Sequence, residues 1–325
     1  MTLPTAARSF LDAQPTEPLD FLTVDERRQY MRHLSDLNYL RYGRRAESVA
    51  TVADRVVPTP MGGVRVREYR PPAAGPLPVH VFLHGGGWWQ GSVDELVNEA
   101  ICRYRCVRAE CVVLAVDYPL APERPFPAAL DDAYGVLAEV ADDAAAWGID
   151  PDAVSVGGVS AGGNLAAALA LRCRDAGGPQ PAFQLLEVPV LDLTRWLSPD
   201  PADPDRRHAD QLAAAVRRYL PDPDQAALPL ASPLCAADLS GLPPAHVMAA
   251  EVDPLRVDGE RYAGRLGEAG VPATLDVRAG AIHGVSFLTR VWPPAQAWQR
   301  AAAAALRWAH DRARGASRAG KGAAP

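Results

Sequence analysis

From Asp54 onward, short runs rich in β-branched residues alternate with longer segments rich in alanine and leucine, and this rhythm constrains the fold more than any other feature. A short apolar run with no polar face belongs in a sheet that helices cover on both sides. Strands are expected over Val64–Tyr69, Val79–Leu83, Val112–Val116, Val154–Val156, Leu185–Val190, Ala245–Ala250 and Ala273–Val277. Between them the spacing predicts helices over Val93–Glu110, Leu130–Trp147, Ala161–Ala176, Gly259–Ala269 and Pro294–Arg312, the first entered through a Ser92/Glu95 capping box. Five helices among seven strands describe one doubly wound α/β domain with a mostly parallel sheet, over residues 51–313.

Two regions break the rhythm. Asp25–Tyr42, within residues 1–50, carries apolar side chains at Tyr30, Leu34, Leu37 and Leu40, the pattern of an amphipathic helix lying on another surface. The stretch Thr194–Pro233 clusters proline and aspartate around a helical piece, Gln211–Leu220, and reads as an excursion from the sheet. Together the two could cover a site, in which case deleting residues 1–45 should open a pocket while sparing the fold. Residues 314–325, mostly Gly, Ala, Ser and Arg without apolar periodicity, read as a disordered tail.

A net charge of −6 with no basic patch argues against a nucleic-acid partner, which needs clustered Lys and Arg. The five cysteines, Cys102, Cys106, Cys111, Cys173 and Cys235, form no disulfide framework and have no matched ligand set, so buried free thiols and no metal are expected. The N-terminus lacks a basic segment followed by an apolar core, and no segment approaches a membrane span, which makes the cytoplasm the expected location. A homodimer is compatible with such a chain.

Gly158-Val159-Ser160-Ala161-Gly162 fits G-x-S-x-G between a strand and a helix, the context in which a serine is presented as a nucleophile. His84-Gly85-Gly86-Gly87-Trp88-Trp89 follows the Val79–Leu83 strand, where bare backbone N–H groups can approach a developing oxyanion. A phosphate loop would need a Lys-Ser or Lys-Thr pair or a G-x-G-x-x-G opening, and neither is present. Trp88, Trp89 and Trp196 are candidates for an apolar substrate pocket, though aromatic residues in such places are as often packing.

A serine nucleophile needs a base oriented by a carboxylate. Of seven histidines, His283 alone lies in a loop after the last strand and before a glycine; His84 fits a brace for the glycine loop. His33, His208 and His310 fall in the cap or on helices, and His80 and His246 within strands. Chain order puts the acid between the serine and the histidine. Asp253, at the end of its strand, fits best, with Asp192, Asp238, Glu251 and Asp258 as rivals.

HGGGWW, GVSAGG over Gly158–Gly163 and DYPLAPERPFPAALDD over Asp117–Asp132 resemble the hormone-sensitive-lipase-like family of α/β-hydrolases, and Asp253-Pro254-Leu255-Arg256 and His283-Gly284 resemble its acid and histidine motifs. The resemblance runs from about Arg55 to Ala313. It implies an α/β-hydrolase fold, a triad of Ser160, Asp253 and His283, and oxyanion N–H groups from Gly86, Gly87 and Ala161, with Gly85 opening the turn. It also implies a helical cap from residues 1–50 and an insertion at about 194–233, a small-molecule ester substrate, and no cofactor. Val159 stands where the family carries an acid, Pro119 interrupts its YRLAPE run, and Val257 spaces Asp258 one residue further from Arg256. Relatives in this family act as dehydratases or cyclases, and plant gibberellin receptors resemble it after losing the histidine; His283 is retained here. Glu187, ending a strand just before Pro189, is a further polar group near the sheet's carboxyl edge.

Overall fold

In a computed structural model, residues 3–14, 22–197 and 206–321 are described. The elements are α1 (Thr5–Asp12), α2 (Val24–Tyr42), β1 (Thr51–Thr59), β2 (Gly62–Arg70), β3 (Leu77–Leu83), α3 (Leu96–Arg108), β4 (Val112–Val116), α4 (Ala128–Asp142), β5 (Ile149–Val159), α5 (Ala161–Ala176), β6 (Phe183–Glu187), α6 (Thr194–Leu197), α7 (Arg206–Tyr219), β7 (Ala245–Val252), α8 (Arg256–Glu268), β8 (Ala273–Ile282) and α9 (Pro293–Lys321). Short 3-10 turns occupy Pro223–Ala227, Pro233–Cys235 and Val285–Leu288. One sheet runs β1-β2-β4-β3-β5-β6-β7-β8, antiparallel at its first two pairings and parallel from β4 onward.

The central strands β3, β4 and β6 are buried along their whole length, as their unbroken apolar runs require. Their side chains divide two cores: α4, α5 and α8 close one face, α3 and α9 the other. All seven expected strands exist. The eighth, β1, was not foreseen, because it carries Asp54, Arg55 and Pro58 and is exposed at all but one or two positions. An edge strand needs no continuous apolar run, and its charges and proline discourage pairing with another chain. β6 stops at Glu187, earlier than expected, because Val188 takes φ +40° ahead of Pro189.

Helix ends differ for local reasons. The expected Ser92/Glu95 box does not form: the Ser92 hydroxyl accepts the Asp94 N–H at 3.1 Å, while the Glu95 carboxylate accepts from Ser35 at 2.6 Å. A capping box does form at Thr23 and Glu26, opening α2. At the other end α9 continues to Lys321, so the expected disorder from 314 gives way to helix, helped by alanine and arginine propensity and by Arg314 and Ser317 bonding Asp150 and Asp152 at 3.0 and 2.5 Å. Residues 322–325 lie outside the described part.

α2 forms as expected but turns a different face inward. Tyr30, Leu37 and Leu40 are 43%, 48% and 65% exposed, whereas Asn38, Tyr39 and Tyr42 are buried. Polar anchors choose the face: Arg28, Ser35 and Asp36 reach the Trp89 carbonyl, Glu95 and the Leu96 N–H, all on the side that carries Tyr39 and Tyr42. Residues 194–197 and 206–233 form the excursion between β6 and β7. The five cysteines are free, four of them buried. Among the described residues no helix is long and apolar enough to cross a membrane.

Candidate active site

β5 delivers Ser160 into a sharp turn before α5. Ser160 takes φ +58° and ψ −116°, a conformation that costs an L-residue about 1–3 kcal/mol and persists only where its surroundings enforce it. Two hydrogen bonds do so: the Ser160 N–H donates to the Glu187 carbonyl at 2.8 Å, and its own carbonyl accepts the Asn164 N–H at 3.0 Å. Glycine at 162 is a steric requirement, since a Cβ there would sit 2.0 Å from the Leu83 carbonyl oxygen, where the start of α5 abuts the end of β3.

The loop after β8 brings His283 to this turn. Its Nε2 lies 3.0 Å from Ser160 Oγ, and its Nδ1 lies 2.7 Å from Asp253 Oδ2, just beyond β7. The Asp253 side chain is wholly buried and also accepts the Leu255 N–H at 3.0 Å, while 32% of the His283 side chain stays accessible. Burial on its own would lower the imidazole pKa, but the charge and hydrogen bond of Asp253 outweigh it, and His283 is raised above its ordinary 6.5.

The rival acids are engaged elsewhere. Asp192 bonds Thr194 and Arg261, Asp258 takes the Leu191 and Asp192 N–H groups and Arg195, Glu251 accepts the Gly280 N–H, and Asp238 caps its own turn through Ser240. His80 and His310 both meet Ser155 inside the sheet, at 3.0 and 2.9 Å, and burial holds both below the usual histidine range. His246 bonds Thr274. His84 directs Nδ1 at the Gly85 carbonyl, stacks on Tyr118 at 4.2 Å, and accepts the Tyr118 hydroxyl on its carbonyl, so it braces the glycine loop. The side chain of His208 lies outside the described residues.

The glycine loop runs directly beside the serine. A Cβ on Gly85 would lie 3.7 Å from Ser160 Cβ, Gly86 takes φ +128° and Gly87 +59°. The helix that follows Ser160 begins at Ala161, so the α5 N-terminus starts at the serine that Gly85 adjoins. α7 roofs this loop, its Ala215 Cβ being 3.0 Å from where a Gly87 Cβ would stand.

The three tryptophans considered for the substrate pocket are taken up by packing. Trp88 is wholly buried at φ +61° and stacks on Tyr219 of α7 with centroids 4.4 Å apart and planes at 7°. Trp89 is 9% exposed and lies between the guanidinium groups of Arg27 from α2 and Arg218 from α7, at 5.9 and 4.8 Å. Trp196 is 3% exposed with Arg195 over its ring. α2 and α7 thus both fasten onto the HGGGWW loop, and Arg28 of α2 adds bonds to the Trp89 and Ala121 carbonyls at 2.7 and 2.8 Å. Of this clamp, only the tryptophans stand out in the sequence; its arginines sit among many others.

A strand-turn-helix serine, a histidine from the last loop and an acid after the preceding strand, on a sheet of this order, define an α/β-hydrolase. The model of the alpha/beta hydrolase fold family matches residues 80–287, and the chain belongs to that family, in its hormone-sensitive-lipase-like branch. Among curated proteins it is similar to the carboxylesterase NlhH of Mycobacterium tuberculosis, 38% identical over 95% of this chain and all of that one. It is also 40% identical to an arylesterase of Saccharolobus solfataricus, over 62% of this chain and 66% of that protein. Among solved structures, a hyperthermophilic esterase from the archaeon Pyrobaculum calidifontis superposes with a TM-score of 0.83 at 35% identity, covering 94% of this chain and 98% of that one.

Proposed function

We infer that the protein is a serine hydrolase of carboxylic esters, with Ser160 as nucleophile, His283 as general base and Asp253 as its orienting acid. The observation that carries this reading is the pair of contacts on one imidazole, 3.0 Å from Nε2 to Ser160 Oγ and 2.7 Å from Nδ1 to Asp253 Oδ2. With Nδ1 donating to the carboxylate, Nε2 is left as the acceptor for the serine proton. As Oγ attacks the ester carbonyl, that proton moves to Nε2 and negative charge gathers on the carbonyl oxygen. The N–H groups of Gly86, Gly87 and Ala161 are the donors for that oxygen. His283 then protonates the departing alcohol, and water enters by the same route in reverse to release the acid and restore Ser160.

The substrate class follows from what stands over the loop. The buried face of α7 is Ala209, Leu212, Ala213, Ala215 and Val216, with Ala215 directly above Gly87, which suits a small to medium apolar ester. A binding protein without turnover would not need His283 poised on both of its neighbours. The test is a panel of p-nitrophenyl esters of rising acyl length on wild type and Ser160→Ala. Turnover that falls with acyl length and vanishes in the variant is expected; Ser160→Ala retaining wild-type turnover would overturn the assignment.

A further inference from the structure

Glu187 ends β6 directly opposite Val159, its register partner on β5 and the residue before the nucleophile. Its backbone and its side chain are tied to different parts of the molecule. The carbonyl accepts the Ser160 N–H at 2.8 Å. The carboxylate, wholly buried, accepts from the Arg105 guanidinium of α3 and from Trp298 Nε1 of α9, the latter at 2.5 Å.

Stability alone gives a poor account of this arrangement. Arg105 is completely buried, its Nε finds no acceptor among the described residues, and its guanidinium also meets His80 Nε2 at 3.3 Å and the ring of Phe82 at 4.9 Å. Burial brings the guanidinium down to about 10, which still leaves it charged at neutral pH. Desolvating two charges costs about what their attraction returns, and apolar residues of similar volume commonly hold a fold together as well or better.

The location gives the pair a second effect. Ser160 at φ +58° and Val188 at φ +40° are both in backbone conformations that L-residues rarely adopt, on neighbouring strands. Glu187 is bonded to the first through its carbonyl and is covalently joined to the second, whose N–H donates to the Met248 carbonyl at 2.7 Å on β7. A side chain gripped from α3 and α9 leaves this residue no freedom to slide along the strand. The carbonyl that holds the serine turn is therefore fixed in height.

We propose that Glu187, gripped by Arg105 and Trp298, is a positioning residue for Ser160, setting through its backbone carbonyl the height of the nucleophile relative to His283 and the glycine loop. The proposal rests on the reading of Ser160 as nucleophile. A misplacement of reacting groups by about 1 Å costs about 100-fold in rate, so a relaxed β6 end lowers turnover without changing how substrate is held.

The experiment compares Arg105→Leu, Glu187→Leu, the double variant, Trp298→Phe and Ser160→Ala. Melting temperature is measured for each, and kcat and KM on p-nitrophenyl butyrate are referred to the serine titrated by a fluorophosphonate. Each single leucine variant strands a buried charge and loses stability; the double variant strands none and recovers it. In the recovered double variant kcat should be down by about 10- to 100-fold with KM nearly unchanged, and fluorophosphonate labelling should slow in parallel. A double variant with recovered melting temperature and wild-type kcat makes the pair a brace for α3 and α9 and overturns the proposal. Should the double variant not fold, Trp298→Phe decides, since it removes one donor to Glu187 and keeps an aromatic ring: several-fold lower kcat at constant KM supports the proposal, and unchanged kcat overturns it. Ser160→Ala keeps the two failures apart, because activity surviving there refutes the nucleophile itself, whereas its loss beside a fully active double variant refutes only the role of Glu187.

Discussion

Gly86 makes the oxyanion assignment quantitative. At φ +128° it occupies backbone space that few side chains tolerate, and a Cβ built there lies 2.0 Å from the Gln90 carbonyl oxygen and 2.6 Å from its carbon. Real Cβ atoms essentially never come under 3.0 Å, so Gly86→Ala must open the turn by about an ångström. That movement breaks into the bonds from the Trp89 and Gln90 N–H groups to the Gly86 carbonyl, 3.3 and 3.1 Å long. Losing one oxyanion donor costs about 100- to 1000-fold in kcat, and the same range is expected here. KM should change by less than about 3-fold, because the donor engages charge that develops only in the transition state. Gly85→Ala is the control: its Cβ meets the Val159 carbonyl at 3.2 Å and Ser160 Cβ at 3.7 Å, contacts relieved by a few tenths of an ångström. A loss under about 10-fold is expected there. Both are assayed on p-nitrophenyl butyrate per titrated serine, with melting temperature as the check on folding. Folded Gly86→Ala enzyme with kcat within about 5-fold of wild type would show that this loop does not hold the oxyanion.

His283 links activity and stability with opposite signs. Its folded pKa is raised above 6.5, so kcat/KM should climb with pH through a midpoint above that value, while the stabilising imidazolium–Asp253 pairing, complete below the unfolded pKa, is lost over the same rise. Rate profiles and melting temperatures between about pH 5 and about pH 9 check this, and a midpoint below the ordinary histidine value would contradict it. The N-terminal segment separates into two truncations. Removing residues 1–22 takes away α1 and Phe10, whose ring packs 5.2 Å from Phe287 and against Gly284, so lower turnover from a folded protein is expected. Removing residues 1–45 also strips buried Tyr39 and Tyr42 and the Arg44 N–H bond to Thr289, and should depress the melting temperature strongly; an unchanged melting temperature would show that α2 is a detachable lid.

The sheet was legible because β3, β4 and β6 are buried on both faces and therefore spelled in continuous apolar residues. β1 was not, since an edge strand held by pairing with β2 can be spelled almost freely. Ser160 and His283 stand at glycine-marked turns that the sequence displays, whereas Asp253 is one acid among several and is distinguished by its contact with His283 where the sheet places it. Arg105 was invisible: an arginine in a helix reads as solvated, and only the fold brings it to Glu187, 82 positions further along the chain. Tryptophan likewise announces a large buried surface without naming its neighbour, and here the neighbours are Tyr219 and arginines of α2 and α7.

The way the two ends of the chain are stitched together carries a consequence for synthesis. Phe10, Tyr42 and Arg44 find their partners at Phe287, Arg290 and Thr289, and the Glu187 carboxylate waits for Trp298. Contacts separated by some 245 residues in sequence cannot form on a ribosome until nearly the whole polypeptide has emerged. The first helices translated are thus among the last to dock. A nascent chain arrested before His283 holds the serine turn but neither the imidazole that meets Ser160 nor the surface that seats the N-terminus.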